Sequence, residues 1–92
     1  MARAVILIRS GGRVPNAVEL ANVLKRFSFV TDAYAVFGRV DVVAFLEGRD
    51  VKELFRSVSE VTKIEGIMSS ESLIDAESNG NSMEYGKGPF SS

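Results

Sequence analysis

Few side chains in this sequence can do chemistry, and the most suggestive group of them is the short joint Gly38-Arg39-Val40-Asp41. There is no His, whose ordinary pKa suits proton transfer near neutral pH, and no Cys to act as thiolate nucleophile or metal ligand. Acid–base work would fall to the carboxylates, Tyr34, Tyr85, Lys and Arg. Asp41 sets a carboxylate beside a flexible Gly at the rim of two apolar runs. It can serve a bound group, or it can satisfy N–H groups of its own turn, as Asp commonly does. Arg9 and Arg39 have the chemistry of an anion clamp, although a single Arg near a turn ordinarily faces water. Ser69 and Ser70 offer hydroxyls, and they also read as a polar strand entrance. Ser10-Gly11-Gly12 suggests a phosphate cradle, yet it lacks both the Gly-Lys-Ser/Thr ending of a P-loop and the three-Gly spacing of a dinucleotide site. A strand-to-helix turn is the expectation there.

The joint is held between Ala33-Tyr34-Ala35-Val36-Phe37 and Val42-Val43-Ala44-Phe45-Leu46, two runs that read as the strands of a hairpin. Neither run alternates, so both faces of the hairpin are apolar, with Phe37 and Phe45 expected as core or interface aromatics. Ala4-Val5-Ile6-Leu7-Ile8 is a strand of the same kind. From Asn16 the period changes. Ala17, Leu20, Ala21, Leu24 and Phe27 form a helical stripe of about three turns. Pro15 rigidifies the entry, and Asn16 with Glu19 makes a capping box. Asp50 and Glu53 repeat that signal before a second helix with the stripe Val51, Leu54, Phe55, Val58 and Val61. Its outer pairs Glu53–Arg56, Arg56–Glu60 and Glu60–Lys63 read as a solvated face. Gly66 is placed to end this helix as its C′ residue. Ile67 to Glu77 supplies a last strand with a polar beginning.

Strand, helix, strand, strand, helix, strand is the order of an α+β, ferredoxin-like βαββαβ fold, with both helices on one face of a four-stranded antiparallel sheet. The other face is left open, and its Val, Ile, Leu and Phe predict face-to-face or edge-to-edge pairing into an obligate, sheet-mediated dimer of the dimeric α+β-barrel type. Burial of even ~600 Å² of apolar surface per subunit would contribute about 15 kcal/mol before association costs. Residues 1–78 are expected to form this one domain. Residues 79–92, rich in Gly, Ser and Asn, read either as a disordered tail or as a short edge strand, Met83-Glu84-Tyr85, after an Asn79-Gly80 turn.

Composition excludes several functions. With 11 basic against 12 acidic residues and a net charge of −1, the chain has no clustered basic face, so no direct nucleic-acid binding is expected. No segment reaches the ~20 apolar residues of a membrane span, and the five apolar residues after Met1-Ala2-Arg3 are too few for a signal-peptide core. A cytoplasmic protein with no cofactor and no metal is the expectation.

Val30-Thr31-Asp32-Ala33-Tyr34-Ala35-Val36-Phe37-Gly38-Arg39-Val40-Asp41-Val42-Val43 resembles the central signature of the effector-binding domain of the leucine-responsive regulator (Lrp/AsnC) family, also called the RAM domain. The segment Ile64-Glu65-Gly66-Ile67-Met68-Ser69-Ser70-Glu71-Ser72-Leu73-Ile74 is similar to that family's ending, and the resemblance spans about Ala4 to Glu77. It implies a dimer that stacks its sheets, higher assembly into tetramers or a ring of four dimers, and a small effector, usually an amino acid, bound between dimers. Carried over residue by residue, Gly38 and Asp41 fall on the effector-contact loop with Phe37 and Arg39 beside them. Ser69, Ser70 and Ser72 fall on the polar start of the last strand. The chemistry is compatible: an ammonium group suits Asp41, an α-carboxylate suits N–H groups exposed at a Gly turn, and hydroxyls complete the set. Regulators of this family carry an N-terminal helix-turn-helix, whereas here the first strand starts at residue 4. The resemblance therefore implies a stand-alone sensing module, acting through its own assembly or through a full-length regulator.

Two other functions share this topology. One is a structural oligomerisation domain with no ligand. The other is a cofactor-free enzyme of the dimeric α+β-barrel type, disfavoured by the absence of His and Trp. An ACT domain has the same element order, but its site would lie near Gly11-Gly12 and its hairpin lacks the Gly-x-x-Asp signature.

Overall fold

A computed structural model describes residues 1–11 and 16–75. The elements run β1 (Ala2–Ser10), α1 (Ala17–Leu24), β2 (Val30–Ala35), β3 (Val42–Gly48), α2 (Val51–Thr62) and β4 (Ile67–Ile74). This is the ferredoxin-like order, in one antiparallel sheet of spatial order β2-β3-β1-β4. The contribution expected of Pro15 and the alternatives expected for residues 79–92 lie outside the described residues.

Period-two alternation sorts the sheet into two faces. Ala2, Ala4, Ile6 and Ile8 of β1 and Val42, Ala44 and Leu46 of β3 are buried beneath the helices, where Leu20, Ala21 and Leu24 of α1 and Leu54 and Val61 of α2 meet them. The opposite face carries Val5, Leu7, Val43 and Phe45, with Tyr34 and Leu73 at its sides; the first four are half-buried and the last two exposed. Tyr34 and Phe45 meet edge to face at 5.7 Å. Nothing else in the described chain covers this face.

Both helix starts follow from their caps. Asn16 Oδ1 accepts the Glu19 N–H while Glu19 Oε1 accepts the Asn16 N–H, both at 2.9 Å, which completes the capping box. At α2, Asp50 Oδ1 accepts the Glu53 N–H at 2.8 Å, but the reciprocal half is displaced by one residue. Glu53 turns to Arg49, accepting its backbone N–H at 2.7 Å and its Nε–H at 3.1 Å. These bonds, the backbone one foremost, hold the Glu53 carboxyl below its ordinary pKa.

Other expectations are corrected. The first helix ends at Leu24 with Lys25 as C-cap, so Phe27 packs on the core from the following turn and stacks with Phe29 at 5.3 Å. Phe55 is 57% exposed. Its core place is taken by Ser57, three residues after Leu54 and four before Val61, which lies closer to the centre of the stripe at 100° per residue. Ser57 is 5% exposed, and its hydroxyl donates to the Glu53 carbonyl at 3.2 Å, so the buried polar group is satisfied. Gly66 (φ +101°) lies three residues beyond the helix cap Lys63, inside a turn closed by the Ile67 N–H on the Ile64 carbonyl. The last strand ends at Ile74, and β2 stops at Ala35, leaving Val36 and Phe37 in the loop.

Gly48 is buried where β3 turns into α2, and a Cβ there would stand 3.1 Å from Leu54 N and 3.3 Å from Leu54 Cα. Those are helix backbone atoms with little freedom to move. Gly48→Ala is expected to destabilise the domain by about 1–3 kcal/mol, read as a lowered urea midpoint at unchanged m-value.

Candidate functional site

The loop 36–41 is fastened at both its ends. The Val36 N–H donates to the Asp41 carbonyl at 2.8 Å, closing the loop on itself. The Asp41 N–H donates to the Ile8 carbonyl at 2.8 Å, and Asp41 Oδ2 accepts both the Ser10 N–H (3.0 Å) and the Ser10 hydroxyl (3.2 Å). Asp41 therefore pins the loop to the end of β1, where the register with β4 shifts between Arg9 and Ser10. Gly38 adopts φ +141°, a backbone region that side chains rarely enter. Phe37 projects fully exposed at the tip.

Asp41→Ala is expected to cost about 1–3 kcal/mol, because the Ser10 donors lose a charged acceptor in a half-buried place. Chemical denaturation checks the stability. Faster amide exchange at Ser10 and Val36 checks that the loss is local to this loop.

The pinned loop forms one wall of an open cleft of about 590 Å³, lined by Gly38, Arg39 and Val40 of the loop, Leu7 and Arg9 of β1, and Ser69, Ser70 and Glu71 of β4. Strand register explains this meeting. Leu7 is paired with Glu71 and Arg9 with Ser69, so all four point to the open face, at the end where β1 leads toward α1. Among the described residues the side chains of Arg9, Arg39 and Glu71 have no hydrogen-bond or ion-pair partner. The cleft thus presents two guanidinium groups, one carboxylate and the Ser69 hydroxyl, while Ser70, paired with the buried Ile8, borders it from a position that alternates to the helix-covered face.

Four of the seven residues singled out from sequence line this cleft: Gly38, Arg39, Ser69 and Ser70. The other three do not. Phe37 stands at the loop tip, and the Asp41 carboxylate faces Ser10. Ser72 is paired with Ile6 and belongs to the helix-covered face. Leu7, Val40 and Glu71 were not anticipated, and Arg9 was read as facing water. The alternation Val5, Leu7, Arg9 along β1 was the available signal for Arg9. Glu71 required the pairing of β4.

At the other end of the open face, a cleft of about 460 Å³ lies among Val5, Phe45, Leu73 and their neighbours. Of its charged side chains Arg3, Glu47 and Asp75, the first and last pair with one another at 2.7 Å. Among the described residues no group of three or more acidic, His or Cys side chains could hold a metal ion, and no helix is long and apolar enough to cross a membrane.

No family model and no curated protein matches the chain. Solved structures do. TTHA0845 from Thermus thermophilus is 30% identical, with a TM-score of 0.72 over 82% of this chain and 92% of that one. The hypothetical protein PHS023 from Pyrococcus horikoshii is 25% identical, with a TM-score of 0.74 over 82% of this chain and 89% of that one. An AsnC family transcriptional regulator from Agrobacterium tumefaciens shares the fold at 20% identity and a TM-score of 0.68, over 80% of this chain but only 49% of its own.

Proposed function

We propose that the chain is a ligand-sensing regulatory (RAM) domain of the Lrp/AsnC family, and that it binds an amino acid and signals occupancy through assembly, with further copies or with a full-length regulator. The domains of this family are regulatory rather than catalytic. The observation that carries the proposal is the cleft beside the pinned loop. Unpartnered cations, a carboxylate and the Ser69 hydroxyl converge there, and these are the groups that recognise an α-carboxylate and an ammonium. Gly38, Arg39, Ser69 and Ser70 contact the effector directly, and Asp41 acts by fixing the loop. Phe37, bare at the loop tip, is buried where a second dimer meets the cleft. Within each dimer, the open sheet faces of two copies pack on one another through Val5, Val43 and Phe45 and leave the Arg9–Glu71 end of the face to the effector.

A thermal-shift screen against the twenty amino acids tests this. A ligand present at ~100 times its Kd adds about 2.7 kcal/mol of apparent stability, several degrees in a domain this small. A shift with chemically related amino acids, lost in Arg39→Ala, supports the reading, and no shift at millimolar concentration rejects it. The apolar open face favours a second reading, an assembly domain without ligand. A stable dimer that responds to none of the twenty would establish that one instead.

A further inference from the structure

We propose that the cleft is selective for acidic α-amino acids, one ligand carboxylate on Arg9, the other on Arg39, and the ammonium on Glu71. This rests on the sensing function proposed above and narrows its ligand class. The argument is a matching of charges. Arg9 and Glu71 stand on adjacent strands of one sheet face, on diagonal positions, because Arg9 is paired with Ser69 and Leu7 with Glu71. On β-sheet spacing this sets their Cβ atoms about 7–8 Å apart or less, a separation that an amino acid spans. Arg39 faces them from the loop that Asp41 holds against β1.

None of the three side chains has a partner among the described residues, so the cleft holds two positive charges and one negative charge for a ligand to neutralise. An acidic amino acid carries the inverse set, two carboxylates and one ammonium. A neutral amino acid leaves one guanidinium unmatched. A basic one sets a second cation against Arg9 and Arg39. The Ser69 hydroxyl, on the same face, donates to a carboxylate oxygen that remains.

The test is isothermal titration calorimetry on the full chain with L-glutamate, L-aspartate, glutarate, L-glutamine, L-leucine and inorganic phosphate. The expected result is binding of glutamate or aspartate at least about tenfold tighter than of glutamine and leucine, weakened by added salt. Arg9→Gln and Arg39→Gln each weaken it by about tenfold or more, the loss expected for a charged hydrogen bond. Glu71→Gln removes the preference for glutamate over glutarate, which lacks the ammonium. Arg9, Arg39 and Glu71 are exposed, so circular dichroism of the variants is expected to be unchanged.

If glutamine or leucine binds as well as glutamate, and the Arg variants bind it unchanged, the acidic class is overturned while amino-acid sensing stands. If phosphate or glutarate binds as tightly as glutamate, the cleft is a simple anion site and the proposal fails. If no amino acid binds, the sensing reading fails with it.

Discussion

Val43→Glu is expected to convert a dimer into a folded monomer. Val43 lies on the inner strand β3, paired with Leu7 on one side and Tyr34 on the other, at the middle of the half-buried apolar row. In a single chain the new carboxylate points into water, and the cost to the fold is within the ~1 kcal/mol range of strand propensities. Between two packed sheets it would be buried among apolar side chains, with only the Arg9 guanidinium, diagonally across on β1, to offset part of the cost. The penalty for such an ion is several kcal/mol, and it is incurred in both copies. The dimer Kd should then rise by about a thousandfold or more, at 1.4 kcal/mol per factor of ten. Sedimentation equilibrium separates the outcomes. A monomer with native circular dichroism supports sheet-to-sheet assembly, and an unchanged dimer shows that the copies meet elsewhere.

The second large effect concerns the covered face. Ile6→Ala removes a fully buried side chain from the centre of β1, where its strand neighbours are the small residues Ala44 and Ser72. Small neighbours have little side chain with which to refill the gap, so the loss falls toward the upper part of the ~2–5 kcal/mol range for such truncations. At about 4–8 °C per kcal/mol for a domain of this size, the melting temperature should fall by roughly 15–30 °C. Differential scanning calorimetry reads it directly. A drop of only a few degrees would mean that the helices settle into the space.

What the sequence made legible was local. Asn16 with Glu19 and Asp50 before Glu53 act within one helical turn, so both helix starts were readable. The hairpin and the two-sided character of β1 and β3 were readable because a short apolar run without alternation, bounded by turn residues, fits a strand covered on both faces. Ser57 was hidden because a hydroxyl in a buried helical place is tolerated only once its bond to the Glu53 carbonyl is seen. Phe55 was misassigned because aromatic residues at the margin of a stripe are assigned inward by default. The site was half legible for a different reason. Gly38, Arg39, Ser69 and Ser70 came from a family likeness, whereas the partner of Asp41 is Ser10, far away along the chain and invisible to local pattern. Glu71 and Arg9 enter the cleft only through the pairing of β1 with β4, which depends on the whole sheet.

The polar run Ser69-Ser70-Glu71-Ser72 lies on β4, an outer strand of the described sheet. Outer strands offer unpaired backbone groups to other chains, and charged or polar side chains are a common defence against unwanted pairing. Ser69, Ser70 and Glu71 of this polar run also line the cleft. Val or Ile at Ser69, Ser70 or Glu71 would at once raise β-propensity and remove polarity on this edge of the described sheet. Changes that make this wall of the cleft more apolar therefore also make β4 more prone to pair with another chain.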